Sequence, residues 1–189
     1  MKINKIHESI YEIENFINEK DTSILLDILN NYNEKDWFTE NDQYTTDFWQ
    51  GKNLFFYHDI LKKINKDINN LFSSSDQIAS VGSISRHRIN ESMGEHTDHW
   101  ILDSEQYVAY GIVIYYNDDY EGGEINYPKL GIKIKPKARS LIMHAGDILH
   151  GTLPVLNNNV RYFSTSFIKG TKENPVVLNK EIFGDQHAI

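Results

Sequence analysis

Residues 107–127 read Tyr-Val-Ala-Tyr-Gly-Ile-Val-Ile-Tyr-Tyr-Asn-Asp-Asp-Tyr-Glu-Gly-Gly-Glu-Ile-Asn-Tyr. The aromatic and β-branched run from Tyr107 to Tyr116 breaks at Asn117-Asp118-Asp119 and resumes after Gly122-Gly123. That pattern predicts a strand, a turn and a second strand over Gly123–Tyr127. The same grammar extends outward. Ile78–Ile89 precedes it, and Ile132–Ile134, Ser140–His144 and Val160–Ile168 follow, separated by Pro136, Gly146-Asp147 and Asn157-Asn158-Asn159. Many short strands after a helical start predict a mainly β fold, a sandwich or jelly roll with helices on one face.

The helical start lies before residue 76. Ile60, Leu61, Ile64, Ile68 and Leu71 recur at helical spacing within residues 53–72, and Ser73-Ser74-Ser75 ends the pattern. Asp21-Thr22 is the expected cap of a shorter helix carrying Ile24, Leu25, Ile28 and Leu29. Ile10–Ile17 alternates apolar and polar, as a strand does. Asp36–Gly51 holds five aromatics without clear periodicity and reads as a long loop or hairpin, its rings forming either a lid or part of the core. The expected organisation is one domain over 1–189. Residues 1–75 supply the strand and supporting helices, 76–170 the β core, and 171–189 a tail that packs back on the sheet or stays mobile.

The chain has 189 residues and a net charge of −8, with 40% apolar residues. That length can bury a substantial core. The acidic balance disfavours a nucleic-acid binder and suits neutral or cationic partners. Cysteine is absent, which excludes disulfides, thiolate metal sites and cysteine nucleophiles. The longest uncharged, mostly apolar run, Tyr107–Asn117, is too short to span a bilayer, and Met1-Lys-Ile-Asn-Lys lacks a signal-peptide core. The expectation is a soluble cytoplasmic protein with no membrane partner.

Among eight histidines, His96 and His150 stand out together with Asp98. Residues i and i+2 of an extended segment share a face, so His96-Thr97-Asp98 presents an imidazole beside a carboxylate. His150 lies between two β segments that a jelly roll could bring alongside. Two histidines and one carboxylate bind one face of an octahedral ion and suit Fe(II), though Zn(II) could use the same donors. Arg161 begins a strand on which Arg161, Phe163, Thr165 and Phe167 share a face. An arginine among such neighbours needs an anion, either a carboxylate ligand or one of the protein's own acids.

Four stretches, in order, resemble the Fe(II)/2-oxoglutarate-dependent dioxygenases, in particular their prolyl 4-hydroxylase-like branch. They are Gly94–Asp98, Ile114–Pro128, Lys135–Met143, and His150–Val155 followed by Arg161-Tyr162. The resemblance covers roughly residues 10–168 and implies a double-stranded β-helix with the iron at its mouth. It implies His96, Asp98 and His150 as metal ligands, and Arg161 and Tyr115 as partners of the distal carboxylate of 2-oxoglutarate, with Thr165 a further candidate. It implies Fe(II), 2-oxoglutarate, O2 and ascorbate as cofactors, and hydroxylation of an unactivated C–H with release of succinate and CO2. A peptidyl proline is the leading substrate; a free amino acid or another side chain is the alternative. Glu121-Gly-Gly-Glu124 resembles the turn into the next strand, its glycines serving backbone geometry.

The sequence departs from that pattern at three places. His144-Ala145 stands where relatives often have Phe-Pro, and Arg139 where glycine is usual. Arg86–Met93 lacks the usual tyrosine and Pro-Gly turn. His99 should face away from Asp98, and His144 competes with His150 as a ligand. His7, His58, His87 and His187 are expected to be surface or structural, while Trp100 and Tyr110 either line the cleft or pack the core. A halogenase would need to lose the carboxylate, and Asp98 is present. A non-catalytic metal-binding jelly roll, or a zinc hydrolase, would leave Arg161 and Tyr115 without a purpose.

Overall fold

A computed structural model of the chain describes residues 1–40, 43–46, 54–73, 81–99 and 106–184, with the backbone alone over 38–40, 43–46 and 54–58. The elements in chain order are β1 (Lys2–His7), β2 (Ile10–Glu14), α1 (Glu19–Asn30), β3 (Trp37–Glu40), β4 (Gln43–Thr46), α2 (Leu54–Asn69) and β5 (Ser85–His87). They continue with β6 (Gln106–Tyr115), β7 (Ile125–Tyr127), β8 (Ile132–Ile134), β9 (Leu141–Ala145), β10 (Gly151–Thr152), β11 (Arg161–Thr171) and α3 (Lys180–Phe183). Eight strands form one antiparallel sheet in the order β1-β2-β9-β6-β11-β5-β4-β3, and β10-β7-β8 form a second. This is the expected mainly β jelly roll with flanking helices.

The central strands of the large sheet are buried on both faces, and strand alternation decides which side chain goes where. Tyr11, Ile13, Ile112, Ile114, Tyr162 and Ile168 pack with the helices, where Leu25 and Leu29 of α1 and Ile64 and Ile68 of α2 complete the core. Ile10, Tyr115, Ile142 and Phe163 point the other way and meet Ile125 and Tyr127 of the small sheet. Double burial explains why β6 reads as a near-continuous apolar run rather than an alternating one. No helix among the described residues is long and apolar enough to cross a membrane.

Several boundaries move. Helix α1 starts before the expected cap, because the Asn18 side chain accepts from the Asp21 backbone N–H at 2.8 Å. Asp21 instead pairs with Lys63 of α2 at 2.6 Å. Val81–Ile84 is not strand, so the expected strand over Ile78–Ile89 shrinks to β5; residues 78–80 lie outside the described residues. Strand β7 begins only at Ile125, because Gly122 and Gly123 adopt left-handed backbone (φ 68° and 67°) in the turn. A Cβ on Gly122 would stand 2.2 Å from the Pro154 carbonyl, so glycine is required there. Arg139, at a position where glycine was expected, has φ 65° and is steadied by donating to Asn15 Oδ1 at 2.7 Å.

Strands β3 and β4 pair antiparallel and extend the large sheet beyond β5; residues 41–42 between them lie outside the described residues. Trp37 is core: it stacks on Tyr162 (centroids 6.2 Å) and meets Tyr32 edge-on, on the sheet face that packs the helices. The side chains of Phe38 and Tyr44, and Phe48 and Trp49 entirely, lie outside the described residues. Tyr110 is likewise core, against Phe72; Trp100 lies outside the described residues. The tail packs back as far as Gly184, with Leu178 bridged to Phe72 and Phe183 edge-on to Tyr11 at 5.4 Å; residues 185–189 lie outside the described residues.

Candidate metal centre and anion pocket

His96 and His150 are held together by their own backbones. Each donates its N–H to the other's carbonyl, at 2.8 and 2.9 Å. The rings therefore lie side by side with centroids 4.4 Å apart. Each Nδ1 sits against the carbonyl two residues upstream, Gly94 O for His96 (2.8 Å) and Ile148 O for His150 (3.0 Å). A carbonyl only accepts, so in the neutral ring Nδ1 carries the proton and each Nε2 lone pair is available to a cation.

Asp98 completes the set. Its Oδ1 lies 3.5 Å from His96 Nε2 and its Oδ2 3.8 Å from His150 Nε2. One donor atom from each of the three residues lies within 4.8 Å of the others. An octahedral ion with bonds of about 2.1 Å places adjacent donors about 3 Å apart, so a small contraction closes the three on one ion. Burial raises the Asp98 carboxyl, but hydrogen bonds from His144 and then His96 outweigh it and hold Asp98 well below the usual carboxylate range. The hydrogen bond to Asp98 raises His96 above the ordinary imidazole value, whereas burial, then neighbouring His144, pushes His150 down to about 4. His99 is exposed, as expected for the opposite face.

The three donors line a cavity of about 360 Å³ together with Arg161, Phe163 and Thr165 of β11. Arg161 is 1% exposed. Its guanidinium donates once, to Gly123 O at 3.3 Å, and lies over the rings of Phe163 (4.4 Å) and Tyr115 (5.5 Å). Among the described residues no carboxylate pairs with it, and its Nε has no partner. A Cβ on Gly123 would stand 2.9 Å from the Tyr120 ring and 3.3 Å from Arg161 Cδ, which together with its left-handed backbone explains the second glycine of the turn. The Tyr115 hydroxyl is buried without a partner, and burial pushes it up to about 12 against the pull of Arg161. The Tyr120 hydroxyl and both ring nitrogens of His87 are also buried and unpartnered.

His87 is the register partner of Arg161, so the two side chains share a sheet face. Burial, then the guanidinium, pushes its imidazole down to about 3. A buried cation beside several orphaned hydrogen-bonding groups is the setting an anionic, multiply accepting ligand satisfies. The 2-His-1-carboxylate donors fit Fe(II), and the Arg161 surroundings fit a carboxylate of a dicarboxylic cosubstrate.

Three nearby residues escaped the reading of the sequence as a site. His144 was weighed only as a rival ligand, yet its Nε2 lies 3.1 Å from Asp98 Oδ2. Tyr127 places its hydroxyl 3.1 Å from His144 Nδ1. Gly111 sits in the middle of β6, where glycine weakens a strand; such a glycine signals a close approach and could have flagged the position. The other expected surface or structural histidines are less informative: His7 is half-buried, the side chain of His58 and all of His187 lie outside the described residues.

Comparison with family models and with curated proteins finds no match. Solved structures do match. A viral collagen prolyl hydroxylase from Paramecium bursaria Chlorella virus-1, in complex with 2OG, is 18% identical with a TM-score of 0.59 over 85% of this chain and 96% of that one. A Pseudomonas putida prolyl-4-hydroxylase is 15% identical, TM-score 0.59, over 85% and 91%. A Trichoplax adhaerens prolyl hydroxylase, bound to a hypoxia-inducible-factor peptide fragment, is 14% identical, TM-score 0.65, over 87% and 84%. The chain shares the jelly-roll fold of these oxygenases across most of its length.

Proposed function

We propose that this chain is an Fe(II)- and 2-oxoglutarate-dependent dioxygenase. The observation that carries the reading is a buried, unpaired arginine lining the same cavity as two histidines and a carboxylate. Either feature alone has structural explanations. Together they describe a metal site with an anchor for a carboxylate at its side. His96 Nε2, His150 Nε2 and one oxygen of Asp98 would hold the metal and leave part of its coordination sphere open. When bound, Fe(II) supplies the redox chemistry that couples conversion of 2-oxoglutarate and O2 into succinate and CO2 to hydroxylation of a C–H.

The chain's own residues bind and orient. Arg161 and the Tyr115 hydroxyl hold the distal carboxylate of 2-oxoglutarate, with Thr165 beside them on the cavity wall. Phe163 and Val113 keep the wall apolar, which strengthens the guanidinium–carboxylate attraction by excluding water. Phe167, 40% exposed, stands at the outer end of this strip, where a substrate would enter.

A peptidyl proline is the proposed substrate, supported by prolyl hydroxylases among the structural neighbours, one of them bound to a peptide. The net charge of −8 favours neutral or basic peptides. The test is succinate formation under Fe(II), 2-oxoglutarate and O2, with mass spectrometry of proline-rich peptides and free amino acids. His96→Ala, Asp98→Ala and His150→Ala should each abolish succinate while leaving the protein folded. Full activity in Asp98→Ala would overturn the ligand assignment. Hydroxylation of a free amino acid but no peptide would replace the substrate while keeping the chemistry.

A further inference from the structure

We propose that His144 is a positioning residue for the metal-binding carboxylate: it holds Oδ2 of Asp98, so that Oδ1 alone is presented to the ion. This rests on the ligand assignment above. It goes beyond it by giving a role to a residue at which the sequence departs from the pattern it resembles.

His144 is wholly buried on β9. Its Nε2 is 3.1 Å from Asp98 Oδ2, and its ring packs on His150 with centroids 4.0 Å apart. A carboxylate accepts and does not donate, so the proton of this hydrogen bond sits on Nε2. Nδ1 is then an acceptor, and its hydrogen-bond partner among the described residues is the Tyr127 hydroxyl at 3.1 Å, which donates. The chain runs Tyr127 O–H to His144 Nδ1, then His144 Nε2–H to Asp98 Oδ2. Every polar atom in it is buried and satisfied. The polarity is opposite to that of His96 and His150, whose Nδ1 protons face carbonyls and whose Nε2 lone pairs are free. His144 therefore touches the site without offering it a lone pair, and it lies outside the mutually adjacent donor group.

Gly111 supplies a second, independent observation. It is the register partner of His144 in the β6–β9 pair. A Cβ built on it would stand 2.0 Å from Asp98 Oδ2 and 2.7 Å from His144 Nε2, in the path of that hydrogen bond. A glycine in mid-strand is unfavourable for the strand, and here only glycine leaves room for the contact. The two residues on facing strands thus serve one arrangement. Its consequence is a carboxylate kept monodentate, which leaves one more coordination position for ligands than a bidentate carboxylate would.

Cobalt(II) titration without 2-oxoglutarate reads this directly. His144→Phe keeps an aromatic ring but removes the donor. It should weaken Co(II) binding about 10–100-fold, the usual effect of losing a group that orients a ligand, and change the visible Co(II) spectrum as Asp98 turns bidentate. His144→Gln, which can present an N–H near the Nε2 position, should restore affinity and spectrum; His144→Asn, too short to reach, should not. Gly111→Ala should reproduce the Phe result. Thermal midpoints without metal check folding, and if His144→Phe does not fold, the Gln and Asn variants decide. Unchanged Co(II) affinity and spectrum in His144→Phe, or equal loss in Gln and Asn, would overturn the proposal. The dioxygenase reading fails separately: wild-type protein that binds Co(II) tightly but never forms succinate sinks that reading and leaves the role of His144 standing.

Discussion

Arg161 should behave in opposite ways in the empty and the loaded protein, and that opposition separates an anion anchor from a structural ion pair. Its guanidinium is buried with one hydrogen bond, at 3.3 Å, and two ring contacts. A hydrogen bond from a charged donor contributes about 1.5–3 kcal/mol and a ring contact about 0.5–2 kcal/mol. Removing such an ion from water costs several kcal/mol. The empty site is therefore near balance or unfavourable. Arg161→Met keeps the apolar stem and should leave the ligand-free protein as stable as before, or more stable by about 1–3 kcal/mol. At roughly 2–4 °C per kcal/mol for a chain of this size, that is a rise of up to about 12 °C. Loading reverses the order. 2-Oxoglutarate at 100 times its Kd should stabilise the metal-bound wild type by about 2.7 kcal/mol, a shift of roughly 5–11 °C, and should not shift the variant. Thermal denaturation followed by circular dichroism, with and without metal plus 2-oxoglutarate under exclusion of O2, measures both. A loss of about 3–5 kcal/mol in ligand-free Arg161→Met, the signature of breaking a buried ion pair, would refute the reasoning.

His87 makes a pH prediction of definite sign. Its folded-state value of about 3 lies below the ordinary value near 6.5, so the unfolded chain takes up a proton that the folded protein refuses. The associated stability is fully present above pH 6.5 and is lost as pH falls toward 3, by about 3 kcal/mol at pH 4.5. The difference in urea midpoint between pH 7 and 4.5 should shrink in His87→Phe, and identical curves for the two proteins would rule this out. Trp37→Ala should cost about 3–5 kcal/mol while leaving the 2-oxoglutarate Kd of the folded protein unchanged, because the ring packs on the sheet face turned away from the cavity. Unchanged stability with selective loss of hydroxylated product would instead return Trp37 to a lid.

The candidate metal donors and the proposed anion anchor were legible because their signals are local. The i, i+2 rule places His96 beside Asp98, and the alternation of residues 161–168 puts Arg161, Phe163 and Thr165 on one face, as the cavity lining bears out. Helix α2 was legible from its apolar stripe, which reappears in the buried residues Ile60, Leu61, Ile64 and Ile68. Strand β1 was not, because as a polar edge strand it carries no apolar alternation; its pairing with β2 makes it a strand. Residues 151–152 pair with β7 over two positions only, too short for any periodicity.

By itself, then, the sequence determined the strand-rich core, the face on which each functional side chain stands, and the chemical types brought to it, since these follow from steric preferences a few residues apart. Only the tertiary structure decided which faces meet. That Arg161 has His87 rather than a carboxylate as its register partner depends on pairing across more than seventy positions of chain, residues 87 and 161. That His144 holds Asp98 through a gap left by Gly111 depends on β6–β9 register, in which a slip of one residue would turn every side chain to the other face. Register of that kind is set by the summed burial of both sheets, a sum over the whole chain that no local stretch contains.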